Sequence, residues 1–203
     1  MKTAGIILAG GKNSRIKTEK AFLQLKPETS LIENTLNIFR KIFAEIIIVT
    51  NNPSSYLGFG TKVVEDLIKE KGPLGGIFSG LCFSTSELNF AIACDMPFPN
   101  LELIKYIIQQ PGEYDLVLPE IGGKLDPLFA RYSKITLPVI FSHLLRGDLK
   151  VQAILPELKV LKIMPEEIEQ FDPKHLSFLN INTPENLKKA KEEILKQSEE
   201  SKD

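Results

Sequence analysis

The stretch Gly5-Ile6-Ile7-Leu8-Ala9-Gly10-Gly11-Lys12-Asn13-Ser14-Arg15, closing at Lys20, decides the fold. Its apolar half, Ala4 to Leu8, is a run with no polar alternation, as expected of a strand buried on both faces. Two glycines then follow directly. They permit positive φ, and with no Cβ they let a ligand approach the backbone closely. Their amides can point at phosphate oxygens, and Arg15 and Lys20 would add charge-assisted bonds to the same anion. The plain alternative is an exposed loop of solvated lysines. Against it, glycines and cations coincide where a strand ends, which is where open α/β sheets bind ligands.

Two familiar phosphate motifs do not fit this loop. A P-loop needs a glycine five residues before the Gly-Lys pair and Ser or Thr after it. Here Ile6 and Asn13 occupy those positions. The dinucleotide fingerprint G-x-G-x-x-G is also absent from this loop, which argues against a nicotinamide-dependent dehydrogenase.

Outward from this loop, short apolar runs alternate with helical segments. Strands are read at Ile46 to Val49, Lys62 to Glu65, Phe90 to Cys94, Leu116 to Leu118 and Leu128 to Arg131. Ser30-Leu31-Ile32-Glu33 has the form of a capping box opening a helix. Pro73 opens a small-residue helix through Phe83, and further helices are read at Leu101 to Ile108, Thr136 to Leu145 and Pro184 to Lys196. The polar residues 197–203 are read as fraying. This alternation predicts an α/β fold, a Rossmann-like three-layer α/β/α sandwich with a mostly parallel central sheet.

Composition bounds the function. The chain has 203 residues, 43% hydrophobic and 25% charged, with 25 Lys and Arg against 26 Asp and Glu. That length fits a single domain over 1–203. A net charge of -1 argues against a nucleic-acid partner. Cys82 and Cys94 cannot build a disulfide scaffold, which fits a reducing compartment. No apolar run reaches the roughly 18 residues that cross a bilayer. With no signal-peptide pattern at the N-terminus, a cytoplasmic location is expected by elimination.

Three further features carry chemistry. Asp95, in Ala93-Cys94-Asp95-Met96-Pro97, follows an apolar strand and is placed for Mg²⁺, which takes one or two carboxylates plus substrate phosphate oxygens. It would equally serve as a helix N-cap. Cys94 beside it reads as a small buried hydrophobe. Asp66, after Glu65, could meet a ribose, a base or the metal shell. Gly72-Pro73-Leu74-Gly75-Gly76 is either a turn into a helix or a place where backbone approaches a base.

Together these residues resemble the molybdenum cofactor guanylyltransferases, the MobA proteins. Leu8-Ala9-Gly10-Gly11, Ser14-Arg15 and Lys20 look like the family's first signature. Val64-Glu65-Asp66, Gly72-Pro73-Leu74-Gly75-Gly76, Cys94-Asp95-Met96-Pro97, Pro127-Leu128-Phe129 and Asn180-Ile181-Asn182-Thr183-Pro184-Glu185 follow in the same order. Ile16-Lys17 and Thr18-Glu19 depart from the family's pattern around Lys20. The adjacent Gly10-Gly11 pair favours the guanylyl branch. A cytidylyltransferase or sugar-1-phosphate nucleotidyltransferase of the same fold is the alternative.

The resemblance implies a nucleotidyltransferase-type fold and transfer of GMP from GTP to the phosphate of the molybdenum–molybdopterin cofactor, with release of pyrophosphate. It implies that Leu8, Ala9, Gly10 and Gly11 line the nucleotide, that Lys20 grips the triphosphate and that Arg15 steadies the departing pyrophosphate. Asp95 would hold Mg²⁺ and Asp66 would bind the nucleotide. GTP and the molybdopterin cofactor are then the substrates, with transient contacts to other molybdenum cofactor proteins. The N-terminal part of the domain would bind nucleotide and the C-terminal part molybdopterin, with Asn180 and Asn182 on the molybdopterin side. Lys124, Asp126 and Arg131 are further candidates there, or else a surface ion-pair set. His143 and His175 read as structural or surface residues.

Overall fold

The strands that are apolar on both faces lie at the centre of the sheet, as that pattern requires. The structure, a computed structural model, describes residues 2–10, 20–26 and 29–200. Gly11, Arg15 and the rest of residues 11–19 lie outside the described residues.

The chain runs β1 (Thr3–Leu8), β2 (Gln24–Lys26), β3 (Thr29–Ser30), α1 (Leu31–Phe39), β4 (Ile46–Val49) and β5 (Lys62–Val64). Then come α2 (Gly72–Phe83), β6 (Leu88–Ala93), α3 (Leu101–Gln109), β7 (Leu116–Ile121), β8 (Lys124–Leu125) and β9 (Phe129–Ser133). α4 (Leu137–Arg146), β10 (Val160–Ile163), α5 (Pro165–Ile168) and α6 (Pro184–Glu200) complete it. The sheet order is β10-β7-β9-β6-β1-β4-β5, with β8 hairpinned onto β7. β1 pairs in parallel with β4 and β6, β4 with β5, and β7 with β10. β9 runs antiparallel between β6 and β7. The sheet is therefore mixed and mostly parallel.

Alternate residues of each strand serve opposite layers. Ile6, Leu8, Ile47, Val49 and Ala91 pack with Leu74, Ile77 and Leu81 of α2 and with Ile140 and Leu144 of α4. Ile7, Ile48, Phe90 and Ile92 pack with Leu36 and Phe39 of α1 and with Leu103, Ile104 and Ile107 of α3. Both faces being covered explains the continuous apolar runs. Close packing needs small residues on α2 and β1. A Cβ at Gly80 would lie 2.6 Å from the Cγ2 of Ile6, and one at Gly5 would lie 2.5 Å from the Cδ2 of Phe39. α2 therefore rests directly on β1, and its first turn arrives beside the strand's carboxyl end.

The capping box at α1 is complete. The Ser30 hydroxyl accepts from the Glu33 amide, and the Ser30 amide donates to the Glu33 carboxylate at 2.8 Å. Bonds from the Ser30 hydroxyl and amide hold the Glu33 carboxyl below its usual range. Five of these elements have no counterpart in the sequence pattern: the paired β2 and β3, β8, β10 and α5. β2, β3 and β8 span two or three residues each, too short to show a period. α6 continues to Glu200, beyond the Lys196 end read from the sequence, and carries Glu185–Lys189 and Lys188–Glu192 pairs at helical spacing. No helix among the described residues is long and apolar enough to cross a membrane.

Candidate active site at the strand ends

Three parallel strands end together. Past the last ladder residues, the Ala9 amide donates to the Val49 carbonyl at 2.8 Å and the Cys94 amide to the Leu8 carbonyl at 3.0 Å. The backbone of Leu8, Ala9 and Gly10 thus forms the floor of a cleft of about 280 Å³, between Thr50 to Asn52 on one side and Ala93 to Asp95 on the other. A Cβ at Gly10 would come within 3.3 Å of the Asn51 side-chain Nδ2. Glycine there keeps the floor open.

Lys20 reaches into this cleft from a short 3₁₀ turn, Lys20–Phe22. Its ammonium donates to Asp95 Oδ2 at 3.2 Å and to Asn182 Oδ1 at 2.5 Å. These residues stand 75 and 162 positions away along the chain. The C-terminal segment is held there by backbone, since the Ile181 amide donates to the Asp95 carbonyl at 2.9 Å. The two asparagines therefore part company. Asn182 joins the charged cluster, whereas Asn180 ties its own turn: its side-chain Nδ2 donates to the Phe178 carbonyl and its backbone carbonyl accepts from Asn186 Nδ2.

Asp66 stands on the opposite side of the cleft from Asp95. One carboxylate oxygen accepts from Asn51 Nδ2 at 3.1 Å, and the other is buried without a partner. Burial pushes the Asp66 carboxyl above its ordinary range, with the Asn51 bond opposing. Asn51 was not singled out from sequence. Its signal was positional: it follows β4 as Gly10 follows β1 and Asp95 follows β6.

The candidates beyond residue 120 separate as well. The Asp126 carboxylate accepts from the amide of Leu128, a residue that lines the cleft, at 3.0 Å. Burial pushes its carboxyl up, the Leu128 bond pulls down and the charge of Asp95 adds a further upward push. Lys124 is exposed on the β8 hairpin. Arg131 is not on a substrate side. It is fully buried in β9, and its guanidinium donates to the carbonyls of Gln110, Pro111 and Tyr114. Nor do Lys124, Asp126 and Arg131 form an ion-pair set. Arg131 is instead a clamp on the α3–β7 connection.

His143 is buried on α4 between Asp148 at 3.3 Å and Glu157 at 2.8 Å, away from the strand ends. His175 lies 3.7 Å from Glu169. Among the described residues no group of three or more His, Cys, Asp or Glu could hold a metal ion. A metal here would need substrate oxygens to complete its shell. The oxygens of Asp95 and Asn182 converge on one cation already, the Lys20 ammonium, and both are hard donors of the kind Mg²⁺ takes.

The profile of the MobA-like NTP transferase domain matches residues 5–160. A Desulfosudis oleivorans protein named molybdenum cofactor guanylyltransferase is 38% identical over 192 residues, covering 94% of this chain and 95% of its own. A Pelotomaculum thermopropionicum protein named probable molybdenum cofactor guanylyltransferase is 36% identical over 191 residues, covering 94% of this chain and 93% of its own. The crystal structure of molybdopterin-guanine dinucleotide biosynthesis protein A from Archaeoglobus fulgidus matches with a TM-score of 0.83 at 27% identity. It covers 95% of this chain and 99% of that one.

Proposed function

The chain belongs to the MobA-like NTP transferase family, and from that membership we propose that it is a molybdenum cofactor guanylyltransferase. It transfers GMP from GTP to the phosphate of the molybdenum–molybdopterin cofactor, giving a guanine dinucleotide cofactor and pyrophosphate. The observation that carries this reading is the meeting of Lys20, Asp95 and Asn182 beside the open Leu8-Ala9-Gly10 backbone.

An oxygen of the cofactor's phosphate forms the new bond to the α-phosphorus of GTP. The bond from that phosphorus to the bridging oxygen breaks, and pyrophosphate leaves with the electron pair. The attacking oxygen is already anionic, so no protein nucleophile is needed. Catalysis is then positioning and charge neutralisation. Leu8, Ala9, Gly10 and Gly11 present backbone to the nucleotide, and Asp66 binds it from the other side of the cleft. Lys20 grips the triphosphate and Arg15 steadies the leaving pyrophosphate. Asp95, with the Asn182 oxygen beside it, would hold Mg²⁺, which when bound neutralises phosphate oxygens. Asn182 stands between nucleotide and acceptor, and Asn180 supports it through the turn. The whole chain works as one domain in this reading, and as a cytoplasmic enzyme.

Cytidylyl or sugar-1-phosphate transfer on the same fold differs in base and acceptor. The test is pyrophosphate release from GTP, CTP, UTP and ATP with the molybdenum–molybdopterin cofactor as acceptor. Release from GTP that depends on the cofactor supports the proposal. Release from CTP in preference to GTP refutes it.

A further inference from the structure

We propose that Lys20 also acts as a latch that keeps free divalent metal off Asp95 and Asn182, so that metal enters the site with the triphosphate. This rests on the nucleotidyl-transfer reading above and concerns the order in which its ligands bind.

The ammonium sits where a metal's protein oxygens converge. It donates to Asp95 Oδ2 and Asn182 Oδ1 at once, and the Lys20 and Asp95 side chains are only 23% and 17% exposed. A divalent ion seeking these oxygens meets a positive charge already bound to both, at a separation far inside the roughly 8 Å over which salt screens charge. The ammonium is not what brings the two residues together. The Ile181 amide donates to the Asp95 carbonyl at 2.9 Å and the Asn182 amide to the Asn180 carbonyl at 3.1 Å, so the backbones that carry both side chains are held without it. Removing the charge therefore leaves Asp95 and Asn182 adjacent.

A triphosphate changes the balance. Its oxygens offer the ammonium more negative charge than one carboxylate does. Rotation of the Lys20 side chain onto them frees Asp95 and Asn182, and the same phosphate oxygens complete a shell that two protein donors cannot fill. Metal and nucleotide then strengthen each other's binding by the same factor. Asp66 has no such arrangement, since its partner is the neutral Asn51 amide.

The test is equilibrium binding of Mn²⁺, followed by electron paramagnetic resonance, to wild type and Lys20→Met with and without GTP. Without nucleotide, Lys20→Met binds Mn²⁺ at least about fivefold more tightly than wild type, although it binds GTP more weakly. Adding Asn182→Ala to Lys20→Met removes the gain. Equal or weaker Mn²⁺ binding by nucleotide-free Lys20→Met overturns the latch. Lys20→Gln, scored by the same criterion, serves if Lys20→Met does not fold. In wild type, the ¹⁵N resonance of the Lys20 ammonium moves on adding Mg²⁺ with GTP and stays in place with Mg²⁺ alone. Movement with Mg²⁺ alone also overturns the proposal. Failure of the guanylyl reading looks different: wild type then shows no GTP dependence, while the nucleotide-free comparison of the two proteins still reports on the latch.

Discussion

Lys20 and Arg131 are both cations drawn inward by one sheet, and their surroundings could hardly differ more. Lys20 stands at the strand ends in an open cleft, bound to a carboxylate and an amide oxygen that come from distant parts of the chain. Arg131 stands mid-strand in β9, with no solvent exposure, and donates to three backbone carbonyls. A ligand phosphate can compete for the first cation, because its present partners are accessible. Nothing can reach the second without opening the core. Buried polar groups that are satisfied by backbone rigidify a fold. Charged groups gathered at strand ends are available for chemistry.

Substitutions should divide along this line. Lys20→Ala and Asp95→Ala are expected to lower turnover by about 100- to 1000-fold, the loss seen when a preorganised charge contact is removed. Their melting temperatures should stay within about 2 °C of wild type. Arg131→Met should do the reverse. It leaves three part-buried carbonyls of the α3–β7 connection without their donor, at about 3 kcal/mol in total, lowering the melting temperature by about 6–12 °C. Whatever remains folded should keep its kcat. Loss of kcat without loss of stability in Arg131→Met would break the comparison.

Asn182→Asp gives a smaller effect. A second carboxylate beside Lys20 and Asp95 should reduce kcat/KM by about tenfold, the equivalent of about 1.4 kcal/mol. Steady-state kinetics should show KM for molybdopterin rising more than KM for GTP. The opposite ordering moves Asn182 to the nucleotide side.

Asp66→Asn has a small effect, and its sign is informative. Burial raises the folded-state carboxyl above 3.8. The wild-type protein is therefore favoured in acid, where the group is neutral, and loses that contribution as pH rises through the raised value. The variant should melt about 2 °C higher at pH 7, with the gap closing below pH of about 4, while its GTP affinity falls. A variant that melts lower at pH 7 would show that ionised Asp66 is stabilising.

Much of the central architecture was legible because it is encoded locally. Strands buried on both faces show as unbroken apolar runs at Ile6 to Leu8, Ile46 to Val49 and Phe90 to Ile92. Ser30 and Glu33 announce α1 within four residues. Asp66 and Asp95 stand out because each follows a strand by two residues, and Lys20 because it closes the glycine loop that follows β1. The Lys20–Asn182 contact, spanning 162 positions, left no local pattern. The direction of β9 was equally silent, being a property of topology. The residue type of Arg131 points to a surface or a site, and the structure buries it instead. Its neighbours Phe129, Ala130 and Tyr132 are all apolar and buried, and a lone arginine in such a run belongs to the core. Asn51 carries the same positional signal more weakly, because an amide after a strand is less conspicuous than a carboxylate.

The central claim, that the cleft takes a guanine nucleotide, is met most directly by thermal unfolding of the wild-type protein with Mg²⁺ and each of GTP, CTP, UTP and ATP. A ligand at 100 times its dissociation constant stabilises the folded state by about 2.7 kcal/mol, which is about 5–11 °C for a chain of this size. A shift of that order with GTP, and little or none with the other three, is the predicted result. An equal or larger shift with CTP would contradict it.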